Sequence, residues 1–237
     1  MIAVLILLLS ASGWAGEVGD PIANPRSGRV MVDGSYGVSR LLETDALCDG
    51  DNCDVRTDRS ALGLNLGVSI VRGAGLYGFI RWFDDAIPEA RFEMDGRLYG
   101  GGLKLAWPVT RSFWLAADSQ LGVGEGRDQR ASGPSEVGEA NVLEASTTLL
   151  AVFGHPEDGG HAWAGVQYPW LFRHDVQPVE RLKLPLEPRF PVSAVLGATF
   201  ISDRLGTPWG NSPRLRGTIE ARMGQEFGLS VSTGLGF

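Results

Sequence analysis

The last eleven residues, Phe227 to Phe237, read F-G-L-S-V-S-T-G-L-G-F. Every second side chain from Phe227 onward is apolar or threonine, and the side chains between them are glycine or serine. Because successive side chains of an extended strand point to opposite sides, this pattern predicts a strand with one apolar face and one small, polar face. Its length is close to the roughly 9 to 11 residues that a tilted strand needs to cross a bilayer.

The alternation runs up to an aromatic residue at position 237. This ending resembles the assembly signal of bacterial outer-membrane β-barrel proteins, which the barrel-assembly machinery of that family recognises. The resemblance implies a barrel in the outer membrane of a Gram-negative bacterium, in contact with lipid and lipopolysaccharide, with both chain termini in the periplasm. The residues that carry it are Phe227, Leu229, Val231, Leu235 and Phe237.

The same alternation recurs upstream and predicts nine further strands. The total of ten is even, which leaves both termini on the same side of a barrel. Two connections have lengths opposite to the expected alternation of short and long loops, 201–212 and 224–226, so eight or twelve strands stay open as alternatives. The nine segments are 29–39, 61–70, 75–83, 99–107, 112–123, 143–153, 162–172, 190–200 and 213–223. In 61–70 the outward residues are Leu62, Leu64, Leu66, Val68 and Ile70, whereas the faces of 75–83 are ambiguous, since Tyr77 and Phe79 compete with Leu76, Ile80 and Trp82. Pro169 is expected to mark a bulge or a strand end, and the segments 45–58, 84–95 and 124–138 are expected to be loops.

A soluble β-sandwich would show a similar alternation. Here, however, glycine and serine dominate the face opposite the apolar one, and glycine makes up 33 of the 237 residues, about twice its ordinary share of ~7%. Glycine weakens an ordinary sheet but suits a tightly curved wall or a narrow lumen. We therefore predict an all-β fold, a closed antiparallel transmembrane β-barrel.

Composition and charge agree with this class of protein. The mean hydropathy of -0.00 is what alternating apolar and polar positions average to, and the net charge of -7 argues against nucleic acid as a partner. An apolar run followed by Gly13 and Ala15 predicts a signal peptide over 1–15. Residues 16–28 are then expected to form a short periplasmic segment, and 29–237 a single barrel domain.

Charged residues are predicted to face the lumen, because a charge on the lipid side at mid-depth costs about 2 to 4 kcal/mol. A charge-lined conduit for small solutes and a plug of ion pairs are both possible. A ten-strand barrel is only slightly wider than the eight-strand kind that side chains fill, which favours the plug and a monomeric structural or surface-interaction role. The predicted lumen residues are Lys104, Asp118, Glu144, Arg214, Arg216, Glu220 and Arg222.

The segment C-D-G-D-N-C-D carries both cysteines of the chain. In an exported protein, this short separation predicts a disulfide between Cys48 and Cys53 that pins the first outer loop. Oxygen ligands from Asp49, Asp51 and Asp54 could hold Ca²⁺, but an acidic, solvated loop is the commoner explanation of such a pattern. No cofactor is expected.

A hydrolase is the least favoured function. Omptin proteases use an Asp pair facing a His/Asp pair at the barrel mouth, and the chain has the doublets 84–85 (Asp-Asp) and 174–175 (His-Asp). Adjacent strand residues point to opposite faces, so each doublet directs only one member inward, and the surrounding omptin motifs are missing. His155 and His161 are expected in a short turn on the periplasmic side. The sequence therefore predicts a protein that is not an enzyme.

Overall fold

The computed structural model describes residues 20–21, 30–48, 51–88, 92–128, 139–155, 159–176, 182–183, 187–188, 192–202, 214–224 and 226–236. Within these ranges, no helix is long and apolar enough to cross a membrane. The strands are β1 Val30–Cys48, β2 Asp51–Val71, β3 Ala74–Ile87, β4 Phe92–Pro108, β5 Phe113–Asp128, β6 Glu139–His155, β7 Gly160–Val176, β8 Leu182–Lys183, β9 Glu187–Pro188, β10 Ser193–Ser202, β11 Arg214–Gly224 and β12 Glu226–Gly236.

Ten of these strands form a closed antiparallel wall in the order β1, β2, β3, β4, β5, β6, β7, β10, β11, β12. The last strand pairs with the first in one continuous register, from Met31 opposite Gly236 to Leu41 opposite Glu226. Closure leaves no free edge in the wall. In lipid this is required, because the unpaired N–H and C=O groups of a free edge would find no hydrogen-bond partner. The predicted fold class and the count of ten strands are confirmed. The two short strands β8 and β9 pair with the far end of β1.

The barrel has two unlike ends. Val30 and Gly236 lie at one end, together with the tight connections at 72–73 and 109–112; we call it the terminal end. The opposite end, where β1 ends at Cys48 and β2 begins at Asp51, is called the hairpin end.

Strands at the hairpin end are longer than predicted. The segments 45–58, 84–95 and 124–138 were expected to be loops, yet β1 and β2 continue to Cys48 and from Asp51, β3 reaches Ile87, β4 begins at Phe92 and β5 reaches Asp128. The prediction was wrong here because it followed outward apolar residues. Backbone pairing does not depend on side-chain polarity, so the ladder continues where the outer face becomes charged.

The outer face of the wall is apolar over its middle and terminal parts. In β2, the predicted outward residues Leu62, Leu64, Leu66, Val68 and Ile70 are all exposed. The ambiguity in β3 is resolved, since Leu76 and Trp82 point outward whereas Tyr77 and Phe79 point inward.

Proline 169 lies at an irregularity, as its missing N–H predicts. Ser146 pairs with Pro169 while the preceding Ala145 pairs with Leu171, so Trp170 is the extra residue of a β-bulge. The exposed Trp170 ring donates its Nε1–H to Thr147 Oγ1 at 3.0 Å. The bulge therefore tilts this tryptophan across the neighbouring strand.

The inner face carries two apolar clusters that the sequence did not predict. The first joins strands β4 to β7 and β10, and the second joins β2, β3, β4 and β6. The members of the first are Ala106, Trp114, Ala116, Leu150, Val152, Trp163 and Val195. The members of the second are Ala61, Phe79, Phe83, Met94, Leu98 and Val142.

Many inward glycines make room for these large side chains. Tyr77, Phe79 and Phe83 on β3 lie directly opposite Gly102, Gly100 and Gly96 on β4. A Cβ atom added at any of these glycines would come closer than 3.0 Å to the ring of its partner. Glycine therefore serves a narrow lumen, as predicted, by letting aromatic rings lie flat across the neighbouring strand.

Candidate functional site: the filled lumen

The inner face of the wall carries many charges. Each predicted lumen residue lies in a strand of the wall, and its strand places it on the same face as the buried side chains. Six of the seven are buried, namely Lys104, Asp118, Glu144, Arg216, Glu220 and Arg222, and Arg214 at the terminal end of β11 is half-buried.

Near the hairpin end, an arginine links two carboxylates across the lumen. Arg59 on β2 holds Asp85 on β3 with two hydrogen bonds, at 2.5 Å from Nε and 2.7 Å from Nη2. Its Nη1 donates to Glu144 Oε1 on β6 at 3.1 Å. The guanidinium also lies 4.4 Å from the centre of the Phe83 ring. This group therefore joins opposite sides of the wall.

Below it, a chain of polar side chains crosses the middle of the lumen. Arg81 Nη2 donates to Gln120 Oε1 at 3.2 Å, and its guanidinium lies 4.0 Å from the centre of the Phe79 ring. Gln120 and Gln167 each donate to Ser146 Oγ at 3.4 Å. These bonds link β3, β5, β6 and β7.

Two further groups line the lumen. On β11, Arg222 donates to Glu220 Oε1 at 2.7 Å from Nε and 2.5 Å from Nη2. On the other side, Tyr77 donates its hydroxyl to Asp118 Oδ1 at 2.8 Å. The Lys104 ammonium lies 3.9 Å from Asp118 Oδ2 and 5.3 Å from the centre of the Tyr77 ring.

At the terminal end, a residue that precedes the first strand enters the barrel. The Asp20 carboxylate accepts a hydrogen bond from Arg216 Nη1 and lies 2.9 Å from His161 Nε2. Its main-chain oxygen accepts a bond from Lys104 Nζ at 2.8 Å. Burial alone would raise the pKa of the Asp20 carboxyl, but Arg216, His161 and Lys104 together hold that pKa well below its usual range.

This arrangement corrects the expectation for His161. It was placed in a periplasmic turn, but it lies in β7, faces inward and is fully buried. The turn ends at Gly159, where a positive φ of 93° suits glycine. Asp20 and Pro21, expected in a periplasmic segment, are also buried.

Cavities of different size lie along the barrel. The two larger ones, of about 1120 and 430 Å³, lie towards the hairpin end, and Ser60 and Asp84 line both. A cavity between Arg81, Leu98, Gln120 and Glu144 measures about 10 Å³, which is room for roughly one water molecule. Among the described residues, no group of three or more His, Cys, Asp or Glu side chains could hold a metal ion.

Several predicted residues lie outside the described part of the chain. These are the signal peptide over 1–15, Asp49 and Phe237, and the side chains of Cys48, Asp51, Cys53, Asp54, His174 and Asp175. The disulfide, the calcium site and the terminal assembly signal stay predictions. Elsewhere in the last strand, Phe227 and Leu229 are exposed on the outer face, and Val231 and Leu235 are half-buried.

Sequence reasoning missed several of the residues that fill the lumen. Asp85 lay in the segment 84–95, which was read as a loop, and Arg59 lay between the expected loop 45–58 and the expected strand 61–70. Continuing the two-residue period of β2 and β3 past the last outward apolar residue would have placed both inward. Arg81 lay in a strand whose faces were ambiguous. Asp20 precedes the first strand, so no alternation of side chains in the sequence could indicate that it faces the lumen.

No protein-family model matches the chain, and no curated protein matches its sequence. Among solved structures, it is similar to the translocator domain of autotransporter NalP from Neisseria meningitidis, with a TM-score of 0.50 and 12% identity over 92% of this chain and 91% of that chain. The COG4313 outer membrane channel from Pseudomonas putida F1 matches with a TM-score of 0.48 and 11% identity over 94% of this chain and 100% of that chain.

The likeness to the NalP domain concerns the fold, and the ladder between β12 and β1 closes that fold in this protein. The chain has the fold of an outer-membrane β-barrel.

Proposed function

We propose that this protein is a structural or surface-interaction barrel of a bacterial outer membrane, whose lumen is closed by its own side chains. The observation that carries the proposal is the filling of the lumen. Two apolar clusters and the cross-lumen bonds of Arg59, Gln120 and Asp20 occupy much of the inner face, whereas cavities of about 1120 and 430 Å³ lie towards the hairpin end. A conduit for solutes needs continuous open space, and the mid-depth cavity of about 10 Å³ holds roughly one water molecule.

The outer face supports a position in a bilayer. Exposed apolar side chains cover it, with aromatic residues near both limits of the covered band. Tyr99 and Trp107 mark these limits on β4, eight residues apart, and both are exposed. Transmembrane barrels carry an apolar band of about 25 Å between aromatic girdles. Phe153 and Phe200, also exposed, continue the terminal-end girdle.

The wall is taller than this band. β2 has 21 residues, which at about 3.3 Å per residue and a tilt near 45° gives a height of roughly 50 Å. The excess lies at the hairpin end, where the outer face carries charges of both signs instead of apolar residues. We call this band the charged rim; its described members are Arg40, Arg56, Asp58, Asp84, Glu93, Asp95, Arg97, Glu125 and Arg127.

The charged rim is where we place surface interaction. Arg40 pairs with Asp58 at 2.7 Å on the outer face, and Arg97 and Arg127 are exposed. With the termini on the periplasmic side, the rim stands at the level of lipopolysaccharide headgroups, whose phosphates suit arginine. The barrel-assembly machinery remains the proposed insertion partner, and a monomer the proposed state.

Conductance in a planar lipid bilayer tests the closed lumen. We expect no stepwise current from the purified, folded barrel, under conditions in which a porin inserted from the same detergent conducts. The shift in gel mobility between unboiled and boiled protein verifies that the sample is folded. Discrete current steps would overturn the proposal and favour the alternative, a small-solute channel.

Binding to lipopolysaccharide tests the charged rim. Arg97→Gln and Arg127→Gln should lower the amount of lipopolysaccharide retained by the purified barrel, because each removes an exposed donor to phosphate. Arg72→Gln is the matched control, since Arg72 is equally exposed but lies in the turn at the terminal end. Equal retention by all three variants and the parent would contradict this assignment.

An omptin-like hydrolase is not favoured by the geometry. Of the doublet 84–85, only Asp85 faces inward, as the strand alternation predicted. Both of its carboxylate oxygens accept bonds from Arg59. A carboxylate held in this way is poorly placed to orient an attacking water molecule.

A further inference from the structure

Three nitrogen-bearing side chains converge at the terminal end of the lumen. They are Lys104 on β4, His161 on β7 and Arg216 on β11, so they come from well-separated parts of the wall. His161 is fully buried, and the Arg216 side chain is 5% exposed. Such groups are costly to bury together unless an anion balances them.

The anion is a carboxylate from outside the strands. Asp20 places one oxygen 2.9 Å from His161 Nε2, and Arg216 Nη1 donates to the other. Lys104 binds the main-chain oxygen of the same residue. The two carboxylate oxygens are thus held from two different strands, and the lowered pKa of Asp20 agrees with an anion held among positive groups.

Two nitrogen atoms of the site are not used by Asp20. Arg216 Nε and His161 Nδ1 are buried and have no hydrogen-bond partner among the described residues. Arg216 Nε carries a proton at all relevant pH values, so it can only donate a hydrogen bond. Two more acidic groups face this region: Asp33 on β1, which interacts electrostatically with Lys104 and Arg216, and Asp118 on β5, whose Oδ2 lies 3.9 Å from Lys104 Nζ.

We propose that Lys104, His161 and Arg216 form a carboxylate-binding site, which we call the terminal-end socket, and that Asp20 occupies it as an internal ligand. A small free carboxylate takes its place when the Asp20 side chain is removed. This inference does not depend on the proposed function, because the socket would exist whether or not the lumen conducts.

Chemical rescue tests the socket. In Asp20→Ala, loss of the buried anion should lower the folding equilibrium constant by about 150- to 5000-fold. Sodium acetate should restore stability in a saturable way, by roughly 100-fold at 100 times its dissociation constant. Sodium chloride at the same ionic strength should not, and the parent protein should respond to the two salts alike. The measurement is the urea midpoint of tryptophan fluorescence for the full chain in detergent.

A second variant assigns the effect to the socket. Asp20→Ala combined with Arg216→Gln should lose the acetate response. Rescue of this double variant, or equal effects of acetate and chloride on Asp20→Ala, would overturn the proposal. The result is distinguishable from failure of the proposed function, which is read from conductance.

A spectroscopic readout covers the case in which Asp20→Ala yields no folded barrel. Asp20→Asn keeps the shape of the side chain but removes its charge. The chain has three histidines, so the ring signals of His161 can be assigned by comparison with His161→Asn. If Asp20 fills the socket, Asp20→Asn shifts the His161 ring resonances and leaves the other two histidines unchanged. Unchanged His161 resonances would overturn the proposal.

Discussion

Gly100 on β4 offers a direct test of how the lumen is packed. A Cβ atom at this position would come closer than 3.0 Å to the Phe79 ring, the Leu121 carbonyl oxygen and the Gly122 Cα atom. Two of these three contacts are with backbone, which cannot rotate away. Forcing a methyl group into a packed interior typically costs about 1 to 3 kcal/mol. We expect Gly100→Ala to lower the free energy of unfolding by that amount.

Gly217→Ala is the matched control, because a Cβ atom there meets nothing within 4 Å. Both substitutions replace a strand glycine by alanine, so they share the gain of roughly 0.5 to 1 kcal/mol from reduced backbone entropy. Urea unfolding in detergent, followed by tryptophan fluorescence and by gel mobility, measures both. Phe79→Ala and Gly100→Ala combined should cost less than the sum of the two single changes, because the close contact with the ring is then absent. Equal stability of Gly100→Ala and Gly217→Ala would refute the packing argument.

Three further outcomes are expected. The parent should be more stable than Asp20→Asn, and this difference should be fully present above about pH 4, the usual carboxyl pKa. The difference should fall as the pH drops, because Asp20 binds its proton less readily in the folded protein than in the unfolded one. A difference in urea midpoint that does not change with pH would contradict this. Arg59→Met should lower the free energy of unfolding by about 3 to 5 kcal/mol, since it leaves the carboxylates of Asp85 and Glu144 without their cation. Glu144→Gln keeps the ion pair between Arg59 and Asp85 and should lower it by less in the same unfolding assay. Phe237→Ser should lower the amount assembled in cells more than the refolding yield in detergent, with Leu229→Ser as control, and equal losses in both measurements would end the assembly-signal hypothesis.

The sequence predicts the wall of the barrel well, because lipid imposes a simple rule on it. Outward residues between the aromatic girdles must be apolar, so the two-residue period of Leu62 to Ile70 specifies both the strand and its faces. The same rule forces the charges of β11 inward. The faces of β3 stayed ambiguous, because Tyr77 and Trp82 are both aromatic and an inner face lined by aromatic rings has the same sequence pattern as a lipid-facing one.

The height of the wall was underestimated for a related reason. Above the bilayer, neither face has to be apolar, so residues such as Asp58 and Asp84 continue a strand without any hydrophobic period. Backbone pairing alone keeps these segments in the ladder. Charged side chains on exposed strand ends also discourage pairing with other chains. The charged residues that concealed these strands in the sequence therefore also protect the barrel from association.

The buried side chains at the two ends of the lumen are held by different contacts, and the difference bears on assembly. At the hairpin end, Arg59 and its carboxylates all belong to strands between β2 and β6, so these contacts can form before the barrel closes. The terminal-end socket joins β4, β7 and β11 to a residue that precedes β1. The Asp20 contacts therefore bring the segment before β1 together with β11, which lies near the other end of the chain, so the full set of contacts needs almost the whole chain to be present.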